Sequence, residues 1–69
     1  MAKLYKAVDK MDGEASVFLI HDGMVAIIPW MFTNKKQIRI SKECIDIYAY
    51  QDIEAFERRA INPVLITEW

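Results

Sequence analysis

Apolar and polar positions along this chain follow two regimes. Over residues 4–10 they alternate weakly. Leu4, Lys6 and Val8 take one side and Tyr5, Ala7 and Asp9 the other, the period-two pattern of a strand. Residues 15–21 and 24–28 are instead nearly unbroken apolar runs, Val17, Phe18, Leu19 and Ile20 in the first and Met24 through Ile28 in the second. Runs without alternation predict strands buried on both faces. Asp12-Gly13 and Asp22-Gly23 separate these three segments. Asp-Gly tolerates the positive φ of a tight type I′ hairpin turn. The N-terminal part is therefore expected to fold as a three-strand antiparallel meander.

Pro29 lacks the amide a central ladder needs, so the third strand is expected to end near Ile28, to bulge there, or to run on at an edge. Residues 33–36 read as a polar turn. Residues 37–40 alternate, with Ile38 and Ile40 inward. Residues 44–50 alternate again, Ile45, Ile47 and Ala49 on one face and Cys44, Asp46, Tyr48 and Tyr50 on the other. A short helix is expected next. Asp52 is its N-cap, and Ile53, Phe56, Ala60 and Ile61 form one apolar stripe. Glu54 and Glu57 come early and Arg58 and Arg59 late, the order that complements the helix dipole. Pro63 is expected to stop the helix and residues 64–67 to form a last strand.

These elements predict an α+β fold in a single small domain over residues 1–69. It is a small, mostly antiparallel sheet of about five strands with one short C-terminal helix packed on it. The helix covers one face. Because the second and third strands look apolar on both sides, a second subunit is the simplest cover for the other.

Composition sharpens this picture. The chain has 69 residues and is 54% hydrophobic and 28% charged, too apolar for disorder and too short for two domains. A domain of this size buries only ~60% of its unfolded surface and commonly needs a staple. Its single cysteine, Cys44, excludes an internal disulfide, and its single histidine, His21, disfavours a protein-only zinc site. A homodimer is the remaining remedy and is expected. The net charge of −1 hides an asymmetry: residues 1–42 carry seven Lys/Arg against four Asp/Glu, and residues 43–69 carry two against six. Such a dipole favours head-to-tail association or a charged partner if the two parts occupy different faces.

Charges interrupt any early apolar run, so no signal-peptide pattern is read. The longest apolar stretch, residues 24–32, contains Pro29 and is far shorter than the ~20 residues of a membrane span. A cytoplasmic location is expected, in keeping with a lone reduced cysteine.

Catalytic signals are weak. A Cys44/His21 nucleophilic pair oriented by Asp22 or Asp46 has no active-site motif around it. Asp46, Asp52, Glu54 and Glu57 supply carboxylates, but their ordinary role is a solvated acidic helix start. The only glycines, Gly13 and Gly23, are assigned to turns, leaving no phosphate-cradling loop. No enzyme activity, cofactor or metal is expected.

Interaction signals are stronger. Trp30, Met31 and Phe32 follow the ladder-breaking Pro29, and such residues are enriched at interface cores. Lys35, Lys36 and Arg39 flank them, Tyr48 and Tyr50 lie on the polar face of their strand, and Trp69 ends the chain. The acidic flank Asp52, Glu54 and Glu57 is an alternative surface that would suit a basic channel. The expected function is a small non-enzymatic protein-binding module or regulator. Phage and mobile-element inhibitors that occupy a host protein surface belong to that class. The alternative is nucleic-acid binding, with Lys35, Lys36, Arg39 and Lys42 on phosphates and Tyr5, Tyr48, Tyr50 or Trp30 stacking on bases.

Overall fold

The computed structural model describes residues 2–29 and 48–68. They form a small antiparallel five-stranded sheet with one short helix, a mostly β protein. In chain order the elements are β1 (Ala2–Asp9), β2 (Ala15–His21), β3 (Met24–Pro29), β4 (Gln51–Asp52), α1 (Glu54–Arg59) and β5 (Ala60–Glu68). Across the sheet the strands run β4-β3-β2-β1-β5, so the last strand lies beside the first.

The two Asp-Gly steps fold differently. At Asp22-Gly23 both residues have positive φ, 51° and 71°, and His21 faces Met24, which makes the two-residue turn expected there. The first connection is wider. Of Asp12 and Gly13, only Gly13 is left-handed, at 72°. The strands part at Asp9, whose amide donates to the Glu14 carbonyl at 2.8 Å while its own carbonyl accepts from the Gly13 amide at 2.8 Å. The Asp12 carboxylate instead accepts from the Glu14 amide at 2.9 Å, holding its backbone out of the left-handed region.

Strand β2 sits in the middle, and the absence of alternation in its sequence follows from burial on both sides. On one face Val17 and Leu19 pack with Ala2, Leu4 and Ala26, joined by Ile28, Tyr48 and Tyr50. On the other, Phe18 packs with Ala7, Val25 and Ala55, joined by Tyr5, Ile20, Ile27, Ile53, Phe56 and Ala60. Val17, Phe18 and Leu19 are all fully buried within the single chain. Covering the second face of β2 therefore does not require another subunit. Helix α1 lies on the Phe18 side, where the Phe56 ring meets Phe18 edge-on at 5.6 Å and Tyr5 at 5.2 Å.

Several expectations need correction. The helix is one and a half turns long and its N-cap is Ile53, with no side-chain cap; Asp52 is paired in β4 opposite Met24. That pairing leaves Asp52 one residue before the cap position, which Ile53 occupies in helical backbone. The helix ends at Arg59, well before Pro63, because Ala60 is already extended and pairs with Asp9. Ile53, Phe56 and Ala60 do pack on the sheet, but Ile61 belongs to β5 and is exposed. Tyr48, Ala49 and Tyr50 are in no strand. The two tyrosines are half-buried and Ala49 is exposed, the reverse of the expected facing. The larger rings cover the Leu4 and Leu19 face, which an alanine would leave open. The predicted strand over residues 37–40 and the start of the one over residues 44–50 lie outside the described residues.

Replacing Gly23 tests the turn. A Cβ there meets nothing within 4 Å, so the cost is left-handed backbone strain alone. Gly23→Ala is expected to lose about 1 kcal/mol, read as a lower denaturant midpoint with an unchanged slope.

Candidate interaction surface

Strand β5 has the composition of a buried strand and the exposure of a surface one. Ile61 is 41%, Val64 65%, Leu65 47% and Ile66 39% exposed. It pairs with β1 on one side, and among the described residues no strand lies on its other side. Pro63 fits this position, since a proline inside a strand is tolerated at a sheet edge.

Two bulges shape the strand. Lys6 faces Val64 while Val8 faces Ile61, so two steps along β1 oppose three along β5 and the extra residue falls at Asn62-Pro63. Asn62 takes a positive φ of 51°, a conformation asparagine tolerates better than most side chains. The second shift lies between Leu4, which faces Thr67, and Tyr5, which faces Leu65, leaving Ile66 as the extra residue. Pair partners share a face. Ile61, Val64 and Thr67 therefore stand on the face of Val8, Lys6 and Leu4, whereas Ala60, Leu65 and Glu68 stand on the helix face with Asp9, Tyr5 and Lys3. Val8 is itself 40% exposed, so Val8, Ile61 and Val64 make an uncovered apolar strip along the outer two strands.

An ion pair anchors the start of β5. Asp9 is almost fully buried, and its carboxylate accepts from Arg59 Nε at 3.0 Å and, at its other oxygen, from Arg59 Nη2. This two-point contact is the stronger form of the Arg–carboxylate bond. The same carboxylate accepts from the Met11 amide at 3.0 Å, and the Lys10 amide donates to the Arg59 carbonyl at 2.8 Å. The hydrogen bond from Arg59 holds the Asp9 carboxyl below its ordinary value, with the Met11 amide adding to it and burial opposing both.

The residues singled out from sequence do not converge on one place. Asp52, Glu54 and Glu57 are all exposed, Asp52 at the β4 edge and the glutamates in the first turn of α1. Asp52 lies at the sheet edge opposite β5, whereas Glu54 and Glu57 stand on the helix that connects β4 to β5. Tyr48 and Tyr50 pack against the Leu4 cluster, with the Tyr50 ring 6.1 Å from that of His21. His21 Nδ1 lies 3.7 Å from the Asp22 carboxylate. Trp30, Met31, Phe32, Lys35, Lys36, Arg39, Lys42, Cys44, Asp46 and Trp69 lie outside the described residues. Among the described residues no group of three or more His, Cys, Asp or Glu is placed to hold a metal, and no helix is long and apolar enough to cross a membrane.

Sequence reasoning missed β5 as a surface. The available signal was Val64-Leu65-Ile66, three apolar residues in a row directly after a proline. Pro63 does not stop the helix, which ends at Arg59; it lies inside the edge strand β5. No protein-family model, no curated protein and no solved structure matches this chain.

The ion pair makes a pH prediction. A carboxyl whose folded pKa is depressed contributes stability above its unfolded value, near 3.8, that is lost as pH falls through the folded value. Thermal melts from pH 6 downward should show an acid limb below that point. Arg59→Met should flatten the limb and cost about 3 kcal/mol, since it leaves Asp9 buried without its partner.

Proposed function

We propose that this chain is a non-enzymatic protein-binding module that works by presenting β5. The observation that supports it is the exposure of Ile61, Val64, Leu65 and Ile66 along an edge strand fixed at its start by the Asp9–Arg59 pair. An exposed edge with apolar side chains is a template for a further strand, with main-chain hydrogen bonds for affinity and side chains for selection. Of the two surfaces expected from sequence, Trp30, Met31 and Phe32 with their basic neighbours lie outside the described residues, and the acidic residues Asp52, Glu54 and Glu57 are the described alternative to β5. Charges alone on the flank are a thin basis for affinity, whereas β5 offers apolar area and backbone partners together.

Capture experiments distinguish β5 from the acidic residues. Tagged wild-type chain is expected to retain its protein partner from a nuclease-treated lysate. Val64→Lys, which puts a charge in the middle of β5 at a solvent-exposed position, should lose it with an unchanged circular dichroism spectrum. Glu54→Lys with Glu57→Lys should retain it. The opposite pattern would assign binding to the acidic flank, and loss of every partner on nuclease treatment would favour the nucleic-acid alternative.

A further inference from the structure

We infer that residues 64–68 form a strap that detaches from β1 as a unit while the rest of the sheet stays folded, hinged at Asn62-Pro63 and held at its root by the Asp9–Arg59 pair. The inference does not depend on what binds β5.

Packing is the first support. β5 runs from Ala60 to Glu68, yet among the described residues only its first, Ala60, packs against either core cluster. Every residue from Ile61 to Glu68 is exposed. These residues meet the sheet through main-chain pairing with β1. Segments with few buried apolar contacts and solvent-exposed backbone bonds open well below the free energy of global unfolding. Strand β2 is the opposite case. It is paired on both sides, and Val17, Phe18 and Leu19 are fully buried, so it opens only when the whole sheet does.

The ladder is the second support. Val8 faces Ile61 and Lys6 faces Val64, so Ala7 has both Asn62 and Pro63 across from it. Proline has no amide to give, and a bulge leaves its extra residue unpaired. Asn62 also turns through a positive φ of 51°. The pairing is thus broken between root and strap, at a position able to absorb a hinge rotation. The root is fastened by other means. Asp9 faces Ala60 and takes Arg59 at two points, the Lys10 amide donates to the Arg59 carbonyl at 2.8 Å, and the Ala60 amide donates to the Phe56 carbonyl. Opening therefore runs inward from Glu68 and stops at the bulge. It bares the outer edge of β1 from Lys3 to Lys6 and leaves Phe56 of α1 on Phe18.

Native-state hydrogen exchange of the full chain, resolved by residue and repeated in low urea, tests this. Amides that pair residues 64–68 with β1 are expected to be protected about 100-fold less than those of β2, and to respond to urea far less, because local opening exposes little surface. The Lys10 and Ala60 amides should stay well above the strap. Arg59→Met should bring those two down to the level of the strap while β2 remains slower. In a Cys44→Ser background, Lys6→Cys with Val64→Cys should close an intrachain disulfide, since facing residues of an antiparallel pair lie within disulfide reach. Oxidised, this staple should slow exchange in the strap, and reduction should reverse it. Should Arg59→Met fail to fold, the wild type and the staple carry the test. Strap amides with the protection and urea response of β2, or a staple that leaves their exchange unchanged, would overturn the inference. Lys10 and Ala60 amides exchanging with the strap in the wild type, or keeping their protection in Arg59→Met, would overturn the Asp9–Arg59 pair as its root.

Discussion

Asp9 is where the parts of this fold are tied together. It closes β1, its backbone amide and carbonyl set the first loop, and its carboxylate takes up the Met11 amide and the Arg59 guanidinium at once. Through Arg59 it fixes the end of α1, and through its pairing with Ala60 it fixes the first residue of β5. A loop, a helix and an edge strand thus share one buried carboxylate. Burying a carboxylate costs several kcal/mol unless it is paired and its lone pairs are satisfied. Every buried side-chain polar atom among the described residues has a hydrogen-bond partner. Asp9 therefore fixes the geometry of its neighbours more than it adds net stability: helix and strand must arrive where Arg59 can reach it.

The fold was legible where one face or one turn decides the outcome. The unbroken apolar run of β2 meant burial on both sides, and β2 is the middle strand. Asp22-Gly23 required two left-handed residues, and both are left-handed. Asp12-Gly13 has the same letters, but Asp9 and Asp12 offer their carboxylates to nearby amides and stabilise a wider loop. The competing hydrogen bonds are local and cheap, and the dipeptide alone does not reveal them.

The helix and β5 were less legible for a different reason. Residues 53–61 carry a helical stripe, but the pairing of Ala60 with Asp9 pulls the chain straight before the stripe is complete. A tertiary contact fifty residues away in sequence overrides local propensity, which is a weak prior. The exposure of Val64, Leu65 and Ile66 is likewise invisible to periodicity. Three apolar residues in sequence describe a central strand and an unpartnered edge equally well, and only the strand order separates them.

The adjacency of the first and last strands has a consequence for how the molecule folds. β1 and β2 pair across a five-residue loop, but β1 gains its second neighbour only when residues 60–68 come back to it. Closing so long a loop is slow relative to forming a hairpin. Until it closes, β1 is itself an edge, and Phe18 and Ala7 lack the helix that covers them. The side chains that β1 exposes along its length include Lys3 and Lys6, charges of the kind that discourage one unfinished sheet from pairing with another. Lysines that add little to the finished core thus guard the chain during the interval before its last strand arrives.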